Sequence, residues 1–343
     1  MAVKGPGFPV PVFPASAVDT WGDVQELRAR PEVRLVPTPR HASVLLVAGS
    51  IPPEHREAVD RVHDQLPHPR ATVWWRTDPD APTRAGRTVE GGPDEVVEAI
   101  IAAHLAVAVD PEASEPDRRP DEEAHEWRGV GPNGQGGEGM MGGTPYGRPM
   151  AMTGDDRDGL ALDQLHLRLG PFLDALPAGM VLDVTLQGDV LQQVAATRPG
   201  APVAAGTTVA PGRQGLHGLA HGLHVQGLEG LAARAAGLAL DCGRGREVGP
   251  DLVRLRRGIR RSGLLWMLKG TGVSGQVGDA ADRWAHRLDR VEAAVGGGAP
   301  PESTVLDLDD LGPLLEGRTL GDAITTLVSL DLDLDLVAQG VPR

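Results

Sequence analysis

The chain has 343 residues, enough for two or three domains, and its 33 basic against 47 acidic side chains give a net charge of -14. That balance argues against nucleic acid as a partner and against a polybasic mode of membrane attachment, both of which need an excess of Lys and Arg. A single cysteine, Cys242, excludes an intrachain disulfide framework and any multi-thiolate metal site, and the sequence shows neither an N-terminal secretory signal nor an apolar run long enough to span a membrane.

Residues 1–20 are rich in Pro (GPGFPVPVFP) and read as an extended arm, not a strand of a central sheet, because Pro withholds backbone donors. Phe8 and Phe13 on that arm pack either on the chain's own surface or on a partner. Residues 43–49 (SVLLVAG) are a continuous apolar run closed by Gly, the pattern of a strand buried on both faces. Pro53 opens an amphipathic helix with Ala58, Val59, Val62 and Leu66 at helical spacing, ended by Pro67 and Pro69. Residues 71–75 (ATVWW) predict the next strand, and residues 94–109 a second helix with Val97, Ile100, Ile101 and Leu105 on its apolar side. Strand, helix, strand, helix specify an open parallel α/β layer over residues 21–110.

Residues 111–130 are charged and Pro-rich and read as a linker. After a Gly-dense loop, alternation predicts half-buried strands over 162–169 and 181–190, punctuated by Gly170-Pro171 and Pro177-Ala178-Gly179. From residue 215 the pattern turns helical, over 216–240, 251–268, 279–295 and 320–337. Residues 131–343 are therefore expected to hold a small antiparallel sheet followed by a helical bundle, so the fold class is α/β, then α+β.

Two blocks in the first half carry a resemblance. Pro39, Arg40, His41, Ala42, Val44, Leu45, Val47, Ala48 and Gly49 form one, and Asp64, Gln65, Leu66, Pro67 and Pro69 form the other. Their order and spacing resemble the small, terminal-cluster subunit on the quinone side of respiratory complex I and of group-4 nickel–iron hydrogenases. In that family the next strand delivers a Gly-x-Cys turn to an iron–sulfur cluster. Here Val73-Trp74-Trp75 leads to Arg76-Thr77-Asp78-Pro79, and the family's adjacent cysteine pair and its Pro-Gly-Cys-Pro loop have no counterpart. The second half, from Gly170-Pro171 through the Val181–Asp189 segment, is similar to the start of the large partner subunit. That family's His positions fall here on Leu173, Asp174 or Pro177, and its Cys-x-x-Cys pairs are absent. The resemblance implies a scaffold of this family without its redox centre, since such clusters are held by several thiolates.

Other candidates stand on the residues alone. His217, His221 and His224 lie at i, i+4 and i+7 on one helix face, a spacing that suits zinc or another borderline metal and equally suits local hydrogen bonding within a tightly packed helix. The Gly-rich segment 134–147 lacks the strand and the Lys-Ser/Thr of a phosphate loop. It reads better as an interface loop, with Met140 and Met141 as adaptable contacts and Tyr146 and Arg148 as anchors. Arg257, among Arg254, Arg256, Arg260 and Arg261, precedes Trp266; the group reads as a solvated helix surface or as a docking face for an acidic neighbour or lipid headgroups. Asp331, Asp333 and Asp335 alternate with Leu, and Cys242 lacks an oriented base and reads as an inert thiol.

The resulting expectation is a cofactor-free, non-catalytic subunit that couples or caps the proton-translocating membrane arm of a complex I-like or hydrogenase-like assembly. It would sit in the cytoplasm, peripheral to the membrane, with membrane-arm subunits as partners. The alternative is a metal-binding protein or metalloenzyme built on His217, His221 and His224.

Overall fold

A computed structural model gives the protein's structure and describes residues 7–77, 85–120, 152–155, 161–197, 209–274, 278–298 and 308–330. The first half is a parallel sheet in the order β2-β1-β3-β4-β5, with β1 Val10–Ser16, β2 Val33–Leu35, β3 Val44–Ala48, β4 Ala71–Trp75 and β5 Arg87–Val89. Among the described residues, three helices cover it: α1 Val18–Glu26, α2 Arg56–Gln65 and α3 Pro93–Val109. Strand β3 is buried along its whole length, as its unbroken apolar run requires. Val44, Leu46 and Ala48 face α1 and α3 together with Val10, Val12, Val96 and Ile100. Leu45 and Val47 face the other side, with Phe13, Ala15 and Val59 of α2. The sheet is thus wound on both faces, as residues 43–109 predict.

The Pro-rich segment is not an arm. Residues 10–16 form β1, an inner strand paired in parallel with both β2 and β3. Its prolines are tolerated because of where they fall in the ladder. Pro11 precedes the first β1–β3 pair, Val12 with Val44, and its carbonyl accepts from Ser43 N at 3.1 Å on that side. Pro14 follows the last β1–β2 pair, Val12 with Leu35, where β2 has ended. Neither missing N–H faces a paired neighbour, so the usual objection to Pro in an inner strand does not apply. Phe13 is buried, whereas Phe8 stays 64% exposed beside the His104 ring.

Nor is the described part of the charged segment a linker. After a short turn at Pro111–Ala113, Glu115 returns to the sheet and is buried. Its carboxylate accepts from Thr72 N (2.6 Å), Thr72 Oγ1 (2.7 Å) and Arg118 Nη2 (3.1 Å), with His63 Nε2 at 3.1 Å. Buried Arg70 donates to the carbonyls of Glu115 and Leu66 and pairs with Asp117, while Asp64 accepts from the backbone N–H groups of Arg118 and Arg119. Low apolar content signals a solvated segment only when its charges are unpaired; here they strap the segment across β4 and α2.

The second half opens with an antiparallel sheet, β6 Met152–Asp155, β7 Ala161–Leu169, β8 Val181–Gln187 and β9 Val190–Thr197, in the order β6-β7-β8-β9. The expected strand over 181–190 is two strands, because Gly188 takes φ +60 and turns the chain at Gly188-Asp189. Helix α4 spans Pro211–Val225 and α5 Glu229–Gly243, separated by Gly227 at φ +74 where the sequence suggests one helix. Likewise α6 Gly249–Arg261 and α7 Leu264–Met267 are separated at Gly263. Helices α8 Ala280–Val295, α9 Leu308–Leu315 and α10 Leu320–Ser329 complete the bundle. Helices α4 to α8 share one apolar core around Leu216, Leu223, Ile259 and Trp284. Leu311, Leu315 and Leu327 of α9 and α10 pack instead on Leu182, Val184 and Leu191 of the sheet. The link between α9 and α10 also bonds β9: Leu191 N donates to Arg318 O and Gly317 N to Leu191 O, which covers the exposed strand edge.

Candidate functional site

In an open α/β sheet of order 2-1-3-4-5, ligands bind at the carboxyl ends of the strands, above all between the first and third, where the winding reverses. In this chain those positions are filled from within. The Asp19 carboxylate, on the first turn of α1, accepts from Ser50 N at 3.1 and 3.3 Å. It lies so close to Gly49 that a Cβ there would sit 2.0 Å from Asp19 Oδ1, and Gly49 has φ +81. A carboxylate thus occupies the place where a phosphate-binding sheet presents free N–H groups.

At the end of β4, Arg76 begins the turn that follows Val73-Trp74-Trp75. It takes φ +49, lies over the Trp75 ring, and donates to Asp23 Oδ2 (2.7 Å) and Gly91 O (3.2 Å). Cys242 lies on α5, partly buried against the helical core.

From Asp23 a charged network runs into the second half. Arg213 of α4 donates to Asp23 Oδ1 (2.6 Å) and to Glu26 Oε1 (2.8 Å), and His217 Nε2 donates to the same Glu26 oxygen at 2.9 Å. Glu26 is fully buried, and its Oε2 has no hydrogen-bond partner among the described residues. Burial would raise the Glu26 carboxyl, but the hydrogen bonds from His217 and Arg213 outweigh it and hold the group below the usual carboxylate range. Helix α1 approaches α4 closely because residue 22 is Gly; a Cβ there would stand 2.3 Å from His217 Nδ1.

A second arm of the network centres on Asp174, in the loop between β7 and β8. Arg28 Nη2 donates to its two oxygens at 3.0 and 3.2 Å, and His224 Nε2 to Oδ2 at 2.5 Å. Burial would raise this carboxyl too, yet the His224 hydrogen bond and the Arg28 charge depress it strongly. The Asp174 carbonyl accepts from His221 Nε2 at 2.7 Å, and the His221 ring meets Trp21 edge to face, with centroids 5.3 Å apart. Burial pushes His221 down to about 4, so it is neutral near pH 7. From the same loop, Phe172 inserts beside His55 into the core under α2.

The predicted face of His217, His221 and His224 therefore exists, but its rings are dispersed. His217 goes to Glu26, His221 to a backbone carbonyl, and His224 to Asp174 and Glu229. Among the described residues, no three or more His, Cys, Asp or Glu side chains form a group suited to a metal ion. The histidines join α4 to α1 and to the Asp174 loop. Their partners Glu26 and Asp174 escape sequence reasoning because Glu26 lies 191 residues from His217 and Asp174, 47 and 50 residues from His221 and His224, stands in a loop without periodicity.

Of the interface candidates, Arg257 and Trp266 are exposed, Trp266 at 77%. Met140, Met141, Tyr146 and Arg148 lie outside the described residues, as do Asp331, Asp333 and Asp335. No helix among the described residues is long and apolar enough to cross a membrane. Comparison with protein-family models, with curated proteins and with solved structures gives no match to this chain.

Proposed function

We propose that the chain is a non-catalytic, cofactor-free subunit of a membrane complex related to complex I or group-4 hydrogenases, built as a fusion of the small subunit with a shortened large one. The observation that carries this reading is the closed carboxyl edge of the parallel sheet. Asp19 fills the reversal point, Arg76 opens the turn that in the resembled family delivers a cluster ligand, and Asp23 ties that edge to α4. Strand, Gly49 turn, helix and Pro turn follow the order that the two resembling blocks imply. The Asp174 loop, which carries the resemblance to the large subunit, packs against the first half through Arg28 and Phe172. Buried ion pairs between halves fix their orientation more than they add net stability, which suits a part that transmits or caps motion within an assembly.

The test is purification of the complex from native membranes through a tag on this chain. Multi-spanning antiporter-like subunits are expected to co-purify. Recovery of the chain alone, or an iron centre bound by it under anaerobic conditions, overturns the reading.

A further inference from the structure

One surface runs against the charge of the whole molecule. On α6, Leu252, Leu255 and Ile259 are buried in the helical core, and the opposite face carries Val253, Arg254, Arg257, Arg260 and Arg261. At 100° per residue these five positions fall within an arc of about 120°. Arg254 is spoken for by Asp251, one turn away on the same helix. Arg257, Arg260, Arg261 and Lys269 are exposed and have no ion pair among the described residues. Arg256, on the flank, is taken by Asp289 and Glu292 of α8. The helix is followed at once by the turn at Gly263 and by α7, where Leu264 is buried while Trp266 and Met267 are 77% and 64% exposed.

Apolar side chains of this size are normally covered in a soluble domain, and Trp in particular favours a place that is apolar at one end and wet at the other. A short basic helix face joined to an exposed Trp-Met pair has the composition of an interfacial lipid-binding element. We infer that the α6–α7 corner docks on an anionic lipid surface, with Arg257, Arg260, Arg261 and Lys269 at the headgroups and Trp266 and Met267 entering the boundary with the acyl chains. An acidic protein neighbour would match the cations too, and Trp and Met also favour protein interfaces, so that occupant is an outcome of the test below. The net charge of -14 makes the local nature of the patch decisive, since the rest of the molecule is repelled by such a surface. This inference names the membrane-facing corner of the proposed subunit and does not require the subunit reading to hold.

Flotation of the purified full-length chain with lipid vesicles tests it. Vesicles of phosphatidylcholine with about a third phosphatidylglycerol should carry the protein at low salt, pure phosphatidylcholine vesicles should not, and high salt should release it. Charge reversal at Arg257→Glu, Arg260→Glu and Arg261→Glu together should reduce partitioning at least about a hundredfold. Trp266→Ser should reduce it with the cations intact. All four sites are exposed, and circular dichroism with thermal unfolding checks that the variants keep the fold. Absence of flotation on anionic vesicles at low salt, or equal flotation of the parent and the triple variant, overturns the inference. If vesicles fail but the triple variant loses co-purifying membrane subunits, the corner is a protein interface instead. Vesicle binding without any co-purifying subunit keeps the inference and removes the subunit reading.

Discussion

The Glu115 network in the first half and the Asp174 network between the halves use the same groups, buried carboxylates with Arg and His around them, to opposite architectural ends. Glu115 meets residues 43 to 52 positions away and straps one segment onto its own sheet. Arg28 and Asp174 are 146 positions apart, and Glu26 and Arg213 are 187 apart, so these pairs join two separate cores. The first network is anchored on both sides by the regular structure of β4 and α2; the second has the Asp174 loop on one side. Identical chemistry is local reinforcement in one place and alignment of halves in the other, and the difference lies in the rigidity of what holds each carboxylate.

The sharpest way to break that comparison is to remove each acid in turn. Glu115→Ala leaves Thr72 N, Thr72 Oγ1, His63 and Arg118 without their shared acceptor inside a packed region. It should cost about 4 kcal/mol in urea unfolding, because the partners remain buried. Asp174→Ala deprives Arg28 and His224 of one carboxylate, but the loop can shift and admit water, so about 3 kcal/mol is expected. The qualitative readout separates the two. Asp174→Ala should make the loop between β7 and β8 newly sensitive to protease while the parallel sheet stays folded, whereas Glu115→Ala should loosen the 111–120 strap and the β4 edge. Equal protease patterns would sink the distinction between strap and junction.

Legibility in the sequence followed the same line. Strands β3 and β4 and helices α2 and α3 announce themselves through unbroken or periodic apolar residues and Pro or Gly punctuation, and they lie where residues 43–109 place them. Strand β1 was hidden by a rule that is correct on average: Pro is excluded where an N–H must be given, and only the ladder register reveals that Pro11 and Pro14 owe none. The strap was hidden because composition reports charge but not its pairing. Helix α9 (Leu308–Leu315), with Pro313 inside it, gives a poor helical signal and finds its stability on β9 instead. At the junction, the spacing of His217, His221 and His224 put three rings on one helix face, and the structure directs each of them to a partner on another element instead of to a shared metal. What that face meets was beyond reach, since Glu26 and Asp174 stand in no pattern with it.

Acid titration sharpens the contrast through His221. Its folded value is depressed to about 4 by burial, against about 6.5 in an unfolded chain. As pH falls below 6.5 the unfolded state takes up a proton that the folded state refuses, so stability falls with pH until the folded ring also protonates near 4. From pH 7 to pH 5 this one group should remove about 2 kcal/mol. Asp174, Glu26 and Glu115 are depressed carboxylates, whose contribution is complete above the unfolded carboxylate value and is lost only at lower pH. His55 and His104 are lowered by burial as well, so the measurement is the difference between the parent and His221→Gln unfolded at both pH values. A difference that does not change between pH 7 and pH 5 would mean that burial does not hold the ring in its neutral form.

The smallest effect closes the comparison from the outside. Glu57 and Arg61 form an i, i+4 pair on α2 at 2.5 Å, with both side chains more than half exposed. By distance alone it rivals the contacts of Asp174. Glu57→Ala should nevertheless cost under about 0.5 kcal/mol, and the loss should vanish in high salt, because water screens the pair and both side chains pay entropy to hold it. Salt should leave the cost of Asp174→Ala largely intact, since its partners are enclosed between α1, α4 and the loop. If the two substitutions respond alike to salt, the junction is wet, and its charges no more fix the two halves than a surface pair fixes a helix.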